Sequence, residues 1–124
     1  INNFPRSFEP DLLQDTSSAI GNLANQFGAS AREGPIEPAW PIKADSHLAQ
    51  LCQNTYQELF TEPARLSAVH AGLECGVWVD KWPGIDMVSI AANQENFHSP
   101  QERLQISSVQ KFWDWIHLIL QYVQ

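Results

Sequence analysis

The sequence predicts an α/β fold, a partial twisted sheet flanked by helices. Helical periodicity recurs in three separate stretches, at 11–27, 45–60 and 107–123. Two short and almost continuous apolar runs, "RLSAVH" and "DMVSIAA", lie between the second and third of these. Runs of that kind are what strands become when helices cover both faces of a sheet, and alternation of helices with strands defines the class.

The first residues, "INNFPRSF", read as a short extended segment, which Pro5 confines to an edge or a bulge. Over 11–27 the positions Leu12, Leu13, Thr16, Ala19, Ile20, Leu23, Ala24 and Phe27 fall on one helical stripe, and Gly28 ends it. "SAREGPIEPAWP" then carries three prolines and a glycine. It admits one short edge strand at most and is the natural hinge. A helix over 45–60 is capped by Asp45 or Ser46 and lined by Leu48, Leu51, Cys52, Thr55, Tyr56 and Leu59. "RLSAVH" follows as a buried strand. A short segment that could be helical leads into the second buried strand, "DMVSIAA". The last helix, over 107–123, opens on a capping box of Ser107 with Gln110. Its buried stripe is Val109, Phe112, Trp113, Ile116, Leu120 and Val123.

A chain of 124 residues is about one domain. At 44% hydrophobic and 17% charged it can bury a core. Its 14 acidic against 7 basic residues give a net charge of −7 with no Lys/Arg cluster, which argues against nucleic acid as a partner. The most apolar window, Phe112 to Val123, is broken by Asp114, His117 and Gln121 and is too short to cross a bilayer. Cys52 and Cys75 form no CxxC, so a zinc knuckle is excluded and reduced thiols in a cytoplasm are the default. The chain starts at Ile1 rather than Met, which suggests a piece of a longer polypeptide.

Chemistry concentrates at two places. His70 ends the first buried strand beside Ala71 and Gly72, where the backbone can turn sharply. Ligands of open α/β sheets bind beyond the carboxyl ends of strands. Glu74 follows four residues on, but Gly72 between them argues for a turn rather than a metal-binding helical pair. The plain alternative is a strand exit with a glutamate at a helix N-terminus, where the dipole favours it. A Cys75–His70 nucleophilic pair lacks an orienting Asn or Asp, and "GLECG" is no phosphate loop. His98, in "ENFHSPQER", stands just before Ser99-Pro100, which fixes the chain, and Glu102 can cap the turn back. A histidine held at a rim is what a zinc ligand requires, although zinc takes about four ligands. His47 reads as a surface residue and His117 as a partly buried packing residue.

"AVHAGLECG", "PGIDMVSI" and "HSPQERLQISSVQKFW" together resemble the C-terminal part of the aminoacyl-histidine (Xaa-His, or β-alanyl-histidine) dipeptidases, members of a di-zinc metallopeptidase superfamily. Trp40-Pro41 and Arg6-Ser7 add to the resemblance, which runs from about Arg6 to the end. It implies that residues 1–38 are the C-terminal half, β-α-β, of a ferredoxin-like lid and dimerisation domain. Residues 39–124 would then be the C-terminal part of a zinc-exopeptidase-like catalytic domain. It implies His98 as a metal ligand and His70, Gly72 and Glu74 as substrate-binding residues. The implied cofactor is a divalent metal, zinc above all, two per complete active site. These polarise the scissile carbonyl and activate water, with a glutamate as general base. The substrate would be an Xaa-His dipeptide, the compartment the cytoplasm, and a homodimer could form through the lid.

The family's remaining ligands and its base come from a His-x-Asp motif, a Glu-Glu pair and a further Asp, none of which occurs here. Where it has "FGPTI" before the histidine, this chain has "IAANQEN", and Gln101 replaces the Asp after "HSP". These residues alone are therefore expected to be inactive. The alternative is a non-catalytic α/β module that binds a protein partner through sheet edges.

Overall fold

The computed structural model describes residues 2–69 and 74–123. It has four helices and one two-stranded ladder among these residues: α1 (Pro10–Gln26), α2 (His47–Phe60), α3 (Glu74–Lys81), β1 (Gln94–Glu95), β2 (Arg103–Leu104) and α4 (Ile106–Tyr122). The chain divides into two compact units, Ile1–Ala44 with Ala68–Ile85 and Asp45–Ser67 with Asp86–Gln124.

In the first unit α1 begins where Glu9 leaves the extended region and Pro10 supplies a preset φ at a position that needs no N–H. It ends in a Schellman motif. The Ala29 N–H donates to the Ala24 carbonyl and the Gly28 N–H to that of Asn25, both at 3.0 Å, with Gly28 at φ +75°. Leu13 and Gly21 face inward. Most of the expected stripe does not: Leu12, Thr16, Ala19, Leu23 and Phe27 are exposed, Leu23 at 55% and Phe27 at 83%. The inward face is the neighbouring one, set by Leu13, Ser17, Ile20, Gly21 and Ala24, because the Pro-rich coil folds back there. A Cβ added to Gly21 would lie 3.7 Å from Ala31 Cβ and 3.5 Å from Glu33 Oε1. The coil itself, residues 29–43, carries no regular element, as its prolines dictate. Helix α3 carries Glu74 in its first turn and Lys81 in its last, both favourable to the dipole. Trp82 stacks on Trp78 at 5.1 Å between centroids. Gly76 is buried because the Pro38–Ala39 backbone runs against it, and an added Cβ would overlap the Pro38 carbonyl oxygen.

The second unit is built on α2 against α4. Helix α2 is capped by Ser46, whose Oγ accepts from the Ala49 N–H at 2.9 Å. Asp86, distant in sequence, reinforces the same end. Its Oδ1 accepts from Ser46 Oγ at 2.6 Å and its Oδ2 from the Leu48 N–H at 3.0 Å. Two donors left without intrahelical partners are thus satisfied, and a negative charge sits on the positive end of the helix. Facing α4, Ala49, Cys52 and Thr55 are buried. The Trp115 indole N–H donates to the Cys52 carbonyl and to Thr55 Oγ1, both at 3.1 Å. Tyr56 meets Trp115 edge-on at 5.0 Å and Phe60 at 4.7 Å. Lys111 Nζ lies 4.3 Å from the Phe60 centroid and 4.9 Å from that of Tyr56.

Several expectations are corrected. "RLSAVH" (through Val69), "DMVSIAA" and the described part of "INNFPRSF" are not strands, and the described residues contain one small antiparallel ladder in place of a twisted sheet. Strand pairing is non-local, so an apolar run shows that a segment can pair but not that a neighbour is present. The Ser107–Gln110 capping box does not form. Gln105 is the N-cap and its side chain makes no capping bond to the helix backbone, Ser107 Oγ accepts from Gln105 Nε2, and Gln110 turns to Asp114. The buried face of α4 runs through Ser108, Trp115 and Ile119, leaving Trp113 57% and Leu120 63% exposed. His117 is exposed, its ring 4.8 Å from that of Trp113, rather than partly buried.

Two consequences are measurable. Asp86→Ala leaves Ser46 Oγ and the Leu48 N–H without their charged acceptor and is expected to cost about 2–3 kcal/mol in denaturant unfolding. Gly76→Ala is expected to cost about 1–3 kcal/mol, because backbone rather than a flexible side chain must give way. Circular dichroism melts that coincide with wild type would contradict either account.

Candidate functional site: the His98 hairpin

His98 sits in the loop between β1 and β2. The strands pair antiparallel, Gln94 opposite Leu104 and Glu95 opposite Arg103. Across the outer pair, Arg103 Nη2 lies 2.7 Å from Glu95 Oε2, an exposed bridge that contributes little by itself. The base of the hairpin is held more firmly. The Gln105 N–H donates to the Asn93 carbonyl at 2.9 Å, and Asn93 Nδ2 to Gln105 Oε1 at 3.0 Å. The Asn93 N–H donates to Ser108 Oγ at 2.9 Å, and that hydroxyl donates to the Gln105 carbonyl at 2.7 Å. Ser108 is buried in the first turn of α4, so the hairpin is tied to the helix that packs on α2.

The loop is closed by its own polar groups. Ser99 Oγ donates to the Asn96 carbonyl at 2.8 Å and accepts from the Gln101 N–H at 3.2 Å. The Glu102 N–H donates to the Ser99 carbonyl at 3.0 Å. The His98 N–H donates to Glu102 Oε2 at 3.0 Å, the turn-back that the sequence suggested. Asn96 and His98 both adopt left-handed backbone, at φ +56° and +59°. Asparagine accepts that region readily, whereas histidine does so only where its surroundings hold it.

The His98 side chain is exposed, and among the described residues its imidazole has no hydrogen-bond partner. A free imidazole can ligate a cation or exchange a proton. It fits one coordination position. No group of three His, Cys, Asp or Glu close enough to hold an ion exists among the described residues, so they do not build a metal centre by themselves. Of the residues expected on the substrate side, His70 and Gly72 lie outside the described residues. Glu74 is exposed at the start of α3. Asn93 and Ser108, which hold the hairpin in place, carried no signal in sequence beyond their being polar.

No protein-family model matches the chain. It is 34% identical over 113 residues, 91% of its length, to the cytosol non-specific dipeptidase of Escherichia coli (strain K12). A crystal structure of aminoacylhistidine dipeptidase from Vibrio alginolyticus superposes on 94% of it with a TM-score of 0.74 and 28% identity. The chain is a homologue of a segment of these dipeptidases. It spans 23% of the length of the first and 24% of the second. No described helix is long and apolar enough to cross a membrane.

Neither thiol is poised as a nucleophile. Burial pushes the Cys52 thiol up, and the nearby Asp86 carboxylate adds to it. Burial also raises Cys75, against a smaller lowering by its backbone hydrogen bond and a raising by Glu74. Since the thiolate is the reactive form, both should react slowly at neutral pH. Iodoacetamide labelling followed by mass spectrometry is expected to modify the half-buried Cys75 before the buried Cys52, with Cys52 reached only on unfolding.

Proposed function

We propose that the chain serves in a metal-dependent dipeptidase that hydrolyses Xaa-His dipeptides in the cytoplasm. The observation that carries this reading is His98: an unpartnered, exposed imidazole on a hairpin braced against α4, within a stretch that matches dipeptidases over nearly its whole length. His98 supplies one ligand to a divalent metal, zinc by preference, in a two-metal centre whose other ligands come from outside these residues. The metals activate water and polarise the scissile carbonyl. His70, Gly72 and Glu74 line the substrate side. Residues 1–38 belong to a lid domain and 39–124 to the catalytic domain. The exposed stripe of α1, with Leu12, Leu23 and Phe27, supports homodimer contact through the lid. The residues of this chain alone do not hydrolyse peptides, since they hold one ligand and no general base for the site.

The test is His98→Ala in the complete enzyme. Dipeptidase activity should fall by at least about a hundredfold, with lower zinc content by atomic absorption and an unchanged circular dichroism spectrum. Residues 1–124 titrated with zinc in a calorimeter should bind weakly, and His98→Ala should abolish that binding. Full activity with full metal content in the variant, or tight binding of two zinc equivalents by this chain alone, would sink the reading.

A further inference from the structure

Three devices act on the hairpin loop, and they do not act on the same bond. The Ser99 hydroxyl closes the turn onto the Asn96 carbonyl, and Pro100 restricts Ser99. Neither touches the His98 N–H, nor does the Ser99 N–H, which donates to the same Asn96 carbonyl at 3.2 Å and closes the turn around Phe97 and His98. Among the described residues, the Glu102 carboxylate is the group that does, through the 3.0 Å bond from the His98 N–H. His98 is also the loop's unexpected left-handed residue, at φ +59°. The φ of a residue sets the direction in which its Cα–Cβ bond leaves the backbone. Return of His98 to negative φ would swing the imidazole away from its present heading. An imidazole that ligates or contacts a reacting group has to keep a fixed heading.

We propose that Glu102 is a positioning residue for His98: its carboxylate holds the His98 backbone left-handed and thereby aims the imidazole. The charge-assisted bond offsets part of the conformational strain at that residue. Glu102 does this through the amide and needs no contact with metal or substrate. The inference rests on the reading of His98 as a site residue and adds to it the group that makes one orientation of the ring persist.

The experiment separates the amide contact from the chemistry. The complete enzyme, metal-free and labelled with 15N-histidine, gives an amide signal for His98, identified by its loss in His98→Gln. In Glu102→Ala that amide should exchange with solvent at least about tenfold faster and its HN–Hα coupling should change. With metal restored, kcat should fall about tenfold or more while KM stays within a factor of about two. Glu102→Gln keeps a carbonyl acceptor and should retain most of both properties. If Glu102 were itself a metal ligand, the glutamine variant would fail as badly as the alanine variant, and the proposal would be wrong. It is equally wrong if Glu102→Ala leaves exchange at His98 unchanged, or changes it without moving kcat. Those results with an inactive His98→Ala remove the role of Glu102 alone. An active His98→Ala removes the reading of His98 together with it.

Discussion

The Trp115 indole N–H reaches across from α4 to the Cys52 carbonyl and Thr55 Oγ1 of α2, and the second unit is arranged around that contact. Thr55, 2% exposed, returns its own hydroxyl proton to the Leu51 carbonyl at 2.8 Å, so every polar atom in the contact has a partner. An unsatisfied indole N–H between two helices would cost more than the bond gains. The contact therefore fixes the rotation of α4 about its axis as well as its distance from α2. With α4 fixed, Ser108 in its first turn is fixed, and with Ser108 the base of the hairpin through Asn93. Asp86 does the corresponding work at the other end of α2, where its carboxylate holds the start of the segment that leads to Asn93.

That rotation could not be read from α4 by periodicity. The helix carries Val109, Phe112, Trp113, Trp115, Ile116, Leu118, Ile119 and Leu120, so apolar residues surround most of its circumference. A stripe through Trp113 and Leu120 fits the 3.6-residue period as well as one through Trp115 and Ile119. The choice between them was made by a polar requirement, an N–H that needed acceptors, and hydrophobic patterning is blind to it. In α1 the same ambiguity was resolved by the coil that folds back on Gly21, again a contact from outside the helix. What was legible were local devices: Ser46 as a cap, Gly28 as a stop, Glu102 closing on His98. Each involves residues within five positions of one another and needs no knowledge of the rest of the chain.

The strands mark the opposite limit. "RLSAVH" and "DMVSIAA" have the composition of buried strands, yet their described residues pair with nothing, whereas the ladder that does form joins the wholly exposed pairs Gln94–Glu95 and Arg103–Leu104. Apolar content measures what a strand gains once it is covered, and the ladder measures whether a neighbour is there. In the hairpin the neighbour is guaranteed by a loop that closes itself, and apolar burial is dispensable.

A hairpin stabilised in this way suits a residue that has to remain exposed. Burying His98 would have provided rigidity through packing, but it would also have withdrawn the imidazole from anything it could bind. The loop obtains rigidity from hydrogen bonds directed at its backbone, by the Ser99 hydroxyl and the Glu102 carboxylate, and leaves the ring uncommitted. Left-handed backbone at Asn96 and His98 is the conformational cost of so tight a path. Asn96 bears its share with little strain, because its side chain suits that region. The strain that remains is at the histidine, where a glycine would have carried none but would also have brought no imidazole.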